Sequence, residues 1–192
     1  MFSARLIKQA GISGLLLVAS LFLTACDGMV DDLNPSGDDK RPVVVEGSPG
    51  TQVKQLTPDF WLEDTLYVNR GLYNELVTPP STSGVVLYFT MWCPICDSHA
   101  SHMRANVMPN FPNVKFFLVD YVTGSVANAR TAQVDNGYTN IDTLADVNQE
   151  VFNLYQASMG TTIVVESVTN IVRMNEDYKD GVKLTETLQA LP

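Results

Sequence analysis

Apolar runs from residue 84 onward predict the strands of a buried sheet. Three of them are continuous and rich in β-branched and aromatic residues, as strands covered on both faces should be: Gly84–Thr90, Val114–Val119 and Thr161–Glu166. A fourth run, Ile171–Met174, follows the third after the short turn Ser167–Asn170, and this pair predicts a β-hairpin.

Helix-length segments alternate with these strands. The pattern predicts helices in three places: Pro94 to about Val107, Val126 to about Gln133, and Val147 to about Gln156. Leu184, Leu188 and Leu191 recur at spacings of four and three and predict a short closing helix. This alternation of strands and helices, ending in a hairpin and a helix, indicates an α/β fold with a mixed central sheet flanked by helices.

Composition and charge narrow the class of protein. The chain has 192 residues, of which 45% are apolar and 17% charged, enough apolar material for one packed domain. We assign that domain to residues 52–192. With 12 Lys and Arg against 21 Asp and Glu, the net charge of −9 repels phosphate backbones and argues against nucleic acid as a partner.

The first 25 residues have the order of a secretory signal. Arg5 and Lys8 precede the apolar segment 12–23, and no acidic residue appears before Asp27. This segment is too short to cross a bilayer as a helix, which needs about 20 apolar residues, but it fits the apolar core of a signal peptide. The sequence Leu23-Thr24-Ala25-Cys26 then resembles the bacterial lipobox, in which the cysteine is acylated and becomes the first residue of the mature chain.

The lipobox resemblance implies that residues 1–25 are a lipoprotein signal peptide. Lipid on Cys26 would then anchor the protein to a cell-envelope membrane, facing the periplasm, and Asp27 slightly favours the inner membrane. The alternative is an ordinary cleaved signal followed by a coincidental cysteine. Residues 26–51 are rich in Asp, Pro and Gly and indicate a flexible acidic linker between the lipid and the domain.

The candidate chemistry lies directly after the first predicted strand, in Cys93-Pro94-Ile95-Cys96. In the first turn of a helix, residues i and i+3 lie on the same side and are close enough for a disulfide. Free backbone N–H groups and the helix dipole stabilise a thiolate on the first cysteine, and Pro94 suits the first helical position. We therefore expect Cys93 to be the exposed nucleophile and Cys96 the buried resolving thiol. A redox-active Cys93–Cys96 disulfide would need no other cofactor.

The motif Trp92-Cys93-Pro94-Ile95-Cys96 follows a predicted buried strand and begins a predicted helix. This arrangement resembles the thioredoxin superfamily. Pro58–Asp64 looks like the opening segment of its redoxin branch, the TlpA-like and ResA-like proteins, and Asp120–Tyr155 resembles the insertion of that branch. The resemblance implies a thioredoxin-like fold with a redoxin-type insertion, and a membrane-tethered thiol–disulfide oxidoreductase. Its partners would be protein thiols and disulfides of the cell envelope and a membrane electron donor, with reduction the favoured direction. Trp92, Pro94 and Ile95 would support the two catalytic cysteines.

Two positions depart from the family pattern. Gly160 stands where the family places a cis-proline, in Met159-Gly160-Thr161, the segment expected to line the groove for the partner chain. Since a cis bond without proline costs about 2.5–4 kcal/mol, we expect Met159–Gly160 to be trans. Leu87 stands where thioredoxin has a buried acid, so proton transfer at Cys96 must use water or another group.

The same residues leave other functions open. Thr90-x-x-Cys93 matches half of the peroxiredoxin pattern, although Val86 occupies its proline position, so a thiol peroxidase is one alternative. Copper or other metal handling is another, because His99 and His102 follow the two cysteines at ligand-like spacing. All four cannot bind one ion, since nine residues of helix rise roughly 13 Å, so we predict no metal site of these four and expect His99 or His102 to be a solvated helix residue. A smaller site of Cys93, Cys96 and a partner ligand stays open. Two core cysteines in an inert binding module are the third alternative.

Overall fold

A mixed seven-stranded sheet organises the part of the chain that this computed structural model describes, residues 43–77 and 82–192. Its strands are β1 (Trp61–Asp64), β2 (Asn69–Gly71), β3 (Gly84–Thr90), β4 (Val114–Asp120), β5 (Asp142–Ala145), β6 (Thr161–Glu166) and β7 (Val172–Asp177). Their order across the sheet is β2-β1-β5-β4-β3-β6-β7. The three central strands β5, β4 and β3 are parallel, whereas the pairings on either side of them are antiparallel.

Within residues 43–77 and 82–192, five α-helices cover the sheet: α1 (Leu72–Val77), α2 (Pro94–His102), α3 (Val126–Asp135), α4 (Glu150–Leu154) and α5 (Val182–Gln189). Helix α2 continues into a π-helical turn, Met103–Val107, and a 3₁₀ turn, Met108–Asn110. The helical segment therefore ends at Pro109 and Asn110, where the missing N–H of proline prevents regular continuation. Within the described residues, no helix is both long and apolar enough to span a membrane.

The core lies on both faces of β3, whose seven residues are all buried. Val85, Leu87 and Phe89 point into a cluster shared with α1 and α4. Val86 and Tyr88 point to the opposite face, where α2 and α5 pack. Burial on both faces explains why this strand reads as an unbroken apolar run instead of an alternating one.

The mixed sheet confirms the fold class predicted from the sequence. The predicted strands and helices all form, although α4 is shorter than the segment 147–156. The pattern missed β1, β2 and β5, because strands of three or four residues with polar members give no periodic signal. It also missed α1, because six residues are too few to show a helical repeat.

The folded unit begins earlier than residue 52. Residues 43–51 belong to the same compact unit as the sheet, because Ser48 accepts a backbone hydrogen bond from Leu56 at 2.9 Å and Gly50 donates one to Leu56 at 3.0 Å. The predicted signal peptide, Cys26 and linker residues 26–42 lie outside the described residues.

The sheet brings three chain segments to one end of β3. Thr90 pairs with Asp120, so β3 and β4 end side by side. Strand β6 runs antiparallel to β3, so the segment that precedes β6 meets the start of α2. The site is therefore built at the carboxyl ends of the parallel strands, where open α/β sheets bind their ligands.

We predict that Leu87→Ala lowers the free energy of unfolding by about 2–5 kcal/mol, because Leu87 is 0% exposed and its removal leaves a cavity. Val168→Ala is the matched control, since this valine lies in the β6–β7 turn and is 73% exposed. Urea unfolding followed by circular dichroism measures both variants. Equal stability of the two would contradict this description of the core.

Candidate active site

Cys93 caps the N-terminus of α2. Its backbone is extended, with φ −83° and ψ 163°, and its Sγ accepts a hydrogen bond from the backbone N–H of Cys96 at 3.2 Å. Pro94 occupies the first turn, as predicted, where its fixed φ suits the helix and its missing N–H costs nothing. The Cys93 sulfur thus lies where the free N–H groups and the positive end of the helix dipole converge.

The two cysteine sulfurs face each other across this turn. Their Sγ atoms are 2.7 Å apart, and both thiols are free. Cys96 is 1% exposed, whereas Cys93 is half-buried and accessible to a partner. This asymmetry is the one that an attacking and a resolving thiol require.

The surroundings move the pKa values of the two thiols in opposite directions. Burial works against ionisation of Cys93, but hydrogen bonds from the Cys96 side chain and from the backbone of Cys96 and Ile95 outweigh it and lower the Cys93 pKa. Burial raises the Cys96 pKa, and the thiolate of Cys93 adds to the rise. At neutral pH, Cys93 is therefore the better source of thiolate.

Trp92 is held in a left-handed backbone conformation, with φ +59°. Its backbone N–H donates to Thr90 Oγ1 at 3.1 Å, and its indole N–H donates to Asp120 Oδ2 at 2.8 Å. Asp120 is buried and also accepts from the backbone N–H groups of Val122 and Thr123. Asp120 therefore joins the end of β4 to the loop that carries Cys93.

The sequence alone did not identify Asp120 as part of the site. A signal for it existed, because Asp is rarely buried without a partner. An acidic residue that ends a buried strand therefore indicates a hydrogen-bonding role at the carboxyl edge of the sheet. Only the pairing of Thr90 with Asp120 shows that this edge lies beside the cysteines.

The predicted groove segment reaches Cys93 through Met159, whose Sδ lies 3.2 Å from Cys93 Sγ. Gly160 adopts φ +87°, a value closed to proline, whose ring fixes φ near −65°. Its N–H donates to the Phe89 carbonyl at 3.0 Å, and its carbonyl accepts from Tyr178 at 2.8 Å. Thr161 is buried, and its hydroxyl donates to Asp177 at 3.0 Å.

The rim around Cys93 is apolar. Ile95 is 55% exposed and Met91 is 44% exposed, one on each side of the nucleophile in the chain. Asp97 follows in the first turn of α2, but its carboxylate accepts a 2.5 Å hydrogen bond from the Tyr138 hydroxyl. That bond draws the acid toward Tyr138, so the rim presents apolar side chains beside the sulfur.

A layer of aromatic and imidazole groups lies beneath the thiols. The Tyr88 hydroxyl is hydrogen-bonded to His99 Nδ1 at 3.1 Å, and burial followed by the nearby Cys96 and Cys93 thiols raises the pKa of Tyr88. His102, which is exposed, pairs its Nδ1 with the Tyr178 hydroxyl at 2.7 Å. The sequence led us to expect His99 or His102 to be a solvated helix residue, but His99 is half-buried and in contact with the core.

Among the described residues, no group of three or more His, Cys, Asp or Glu side chains is arranged to hold a metal ion. Each histidine nitrogen with a described partner instead faces a tyrosine.

No protein-family model matches this chain, and no curated protein matches it. Solved structures with a similar fold include a thioredoxin-like protein from Aeropyrum pernix, at 13% identity and a TM-score of 0.55, over 69% of this chain and 89% of that one. Peroxidoxin BcpB from Mycobacterium tuberculosis is similar at 19% identity and a TM-score of 0.56, over 70% and 92%. A thiol-disulfide oxidoreductase from Bacteroides fragilis NCTC 9343 is similar at 18% identity and a TM-score of 0.53, over 69% and 96%. These likenesses show that the fold is thioredoxin-like, as the sequence predicted.

We predict that Cys96→Ala raises the pKa of Cys93 toward that of an ordinary cysteine, because the variant removes the S–H group that stabilises the Cys93 thiolate. The pH dependence of iodoacetamide alkylation measures this shift. Less thiolate at neutral pH means slower alkylation of the variant there. An unchanged pH profile would show that the helix N-terminus alone sets the Cys93 pKa.

Proposed function

We propose that this protein is a thiol–disulfide oxidoreductase that exchanges disulfides with proteins of the cell envelope. The observation that carries the proposal is the Cys93–Cys96 pair, with its sulfurs 2.7 Å apart at the first turn of α2 and the outer thiol capping the helix. The thioredoxin-like fold supports it. The pair itself supplies the redox chemistry, so we propose no further cofactor.

The exchange proceeds in two steps. The Cys93 thiolate attacks one sulfur of a partner disulfide, so that a mixed disulfide forms and the other partner sulfur leaves as a thiolate. Cys96 then loses its proton and attacks Cys93 Sγ, which breaks the mixed disulfide and releases the second partner thiolate. The partner gains two electrons and two protons, and the protein keeps the Cys93–Cys96 disulfide.

The groove segment and the apolar rim suit a polypeptide partner. Met159 contacts the nucleophile, and Ile95 and Met91, which lie near it in the chain, present exposed apolar surface. A partner segment with apolar side chains beside its cysteine buries surface on this rim as Cys93 attacks. Resemblance to TlpA-like and ResA-like proteins favours the reductive direction, with a membrane electron donor that regenerates the dithiol.

The arrangement favours disulfide exchange over a thiol peroxidase. A peroxidase of the peroxiredoxin type needs an arginine to hold peroxide beside the nucleophile. Each of the four arginines in the described residues is hydrogen-bonded to a group other than Cys93. The Thr90 hydroxyl accepts a hydrogen bond from the backbone N–H of Trp92, and this bond helps to shape the loop before Cys93.

We predict that Cys93→Ser abolishes insulin reduction in the dithiothreitol-coupled turbidity assay, because it removes the attacking thiolate. Cys96→Ser should retain the first attack and accumulate a mixed disulfide with insulin, visible on non-reducing gels. Cys26→Ala is the matched control, since it removes the third cysteine of the chain, which the proposed exchange does not use. Equal activity of the wild type and Cys93→Ser would refute the proposal.

We also propose that lipid on Cys26 tethers the domain to the envelope membrane, because several acyl chains give stable anchoring. In a bacterial host that acylates lipoproteins, the wild type should incorporate radiolabelled palmitate and partition into detergent. Cys26→Ala should lose both properties, whereas Cys93→Ser should keep them. Absence of label on the wild type would remove the anchor and leave the redox proposal intact.

A further inference from the structure

The second step of the exchange requires a proton acceptor for Cys96. Cys96 is 1% exposed, and burial raises its pKa, so it is mostly protonated at neutral pH. In the reduced protein, its S–H group donates to the Cys93 thiolate. Once Cys93 is bound in a mixed disulfide, that acceptor is gone. Leu87, at the position of the thioredoxin acid, lies in the cluster on the other face of the sheet.

Tyr88 offers an acceptor on the correct face. It lies next to Leu87 in β3, so its side chain points to the opposite face, where α2 packs. Its hydroxyl lies 3.1 Å from Nδ1 of His99, which follows Cys96 by three residues on the same side of α2. A buried tyrosine hydroxyl needs a hydrogen-bond partner, and here the partner is an imidazole that can accept a proton, one helical turn from a thiol that must lose one.

We propose that Tyr88 and His99 form a proton relay that activates Cys96 when it resolves the mixed disulfide; this inference rests on the proposed disulfide exchange. The proton of Cys96 passes to the Tyr88 oxygen while the Tyr88 proton passes to His99 Nδ1. The Cys96 thiolate forms as its sulfur bonds to Cys93 Sγ and expels the partner thiolate. Half-buried His99 then releases a proton to solvent.

Each group of the relay still has a hydrogen-bond partner when the proton transfer is complete. After it, the Tyr88 hydroxyl donates to the Cys96 thiolate, and the imidazolium of His99 donates to the Tyr88 oxygen. No tyrosinate forms, which agrees with the raised pKa of Tyr88, caused first by burial and then by the nearby thiols. In this relay Tyr88 takes the proton from the reacting sulfur and is the catalytic group; His99 acts through Tyr88 and is the positioning group.

The ionisable groups around His99 suit this role. Tyr88 faces it from β3, and His102 lies one turn further along α2. Tyr178, in the segment after β7, packs against it at a tilt, with ring centroids 5.0 Å apart. Asp180 acts on Tyr178. Burial lowers the His99 pKa, and the charge of His102 lowers it further. His99 is therefore neutral at pH 7 and free to accept a proton.

We predict that Tyr88→Phe slows the resolving step selectively. Full-length reduced protein carrying Cys26→Ala is mixed with one equivalent of 5,5′-dithiobis(2-nitrobenzoate) in a stopped-flow instrument. Attack by Cys93 releases the first thionitrobenzoate, and resolution by Cys96 releases the second. In Tyr88→Phe the second phase should be slower by about 10²-fold, the low end of what a positioned proton acceptor contributes, with the first phase unchanged.

The pH profile separates a relay from a packing effect. The second-phase rate of the wild type should rise through the lowered pKa of His99 and then level off. In Tyr88→Phe it should instead increase with hydroxide concentration throughout. His99→Asn, which can still hydrogen-bond Tyr88 but cannot become a cation, should behave like Tyr88→Phe. Tyr178→Phe is the matched control, because its hydroxyl bonds to His102, and both phases should stay unchanged.

An unchanged second phase in Tyr88→Phe, or equal slowing of both phases, would overturn the relay. If the wild type releases only the first thionitrobenzoate, the disulfide exchange itself is refuted. One experiment therefore distinguishes a failure of the relay from a failure of the disulfide exchange.

Discussion

The position of the Cys93 sulfur at the N-terminus of α2 is the constraint on which the rest of the site depends. A thiolate there replaces the capping oxygen that a helix normally receives from Ser, Thr, Asp or Asn. The helix is capped best when Cys93 is ionised, and the thiolate is most stable when the helix is formed. The same contact therefore stabilises the helix terminus and activates the nucleophile, and disulfide formation exchanges it for a covalent bond.

The elements around this contact hold it in position from two sides. On one side, buried Asp120 binds the indole of Trp92 and the backbone of its own loop, which fixes the left-handed turn before Cys93. On the other side, Gly160 adopts φ +87° and is tied to β3 and to Tyr178 by its backbone, which brings Met159 to the sulfur. Left-handed backbone at Trp92 costs free energy, and its two hydrogen bonds offset that cost.

The site also shows how a thiolate can function in an acidic protein. Asp97 is in the first turn of α2 and Asp120 is beside Trp92, so two carboxyl groups are close to the nucleophile in sequence or in space. Each is engaged by hydrogen-bond donors, Asp97 by Tyr138 and Asp120 by Trp92, Thr123 and backbone N–H groups. These bonds orient the carboxylates and draw their charge toward the donors. Burial opposes ionisation of Cys93, but hydrogen bonds from Cys96 and Ile95 outweigh it and keep its pKa lowered.

The sequence by itself determined the features that depend on neighbouring residues. Continuous apolar runs predicted β3, β4 and β6, because strands buried on both faces need no alternation. The spacing of Cys93, Pro94 and Cys96 predicted the nucleophile at a helix N-terminus, because a helical turn brings i and i+3 together. The short strands β1, β2 and β5 left no such pattern, since pairing with a neighbour, and not periodicity, makes them strands.

Only the tertiary structure decided which distant residues join the site. Asp120 meets Trp92 because β3 and β4 are parallel and end together, and Met159 meets Cys93 because β6 is antiparallel to β3. Tyr88 read from the sequence as one more apolar member of a buried strand, and His99 as a solvated helix residue. Helix packing on one face of the sheet brings them together beneath Cys96. Contacts between residues far apart in the chain depend on strand order and packing, and one sequence carries no local signal for either.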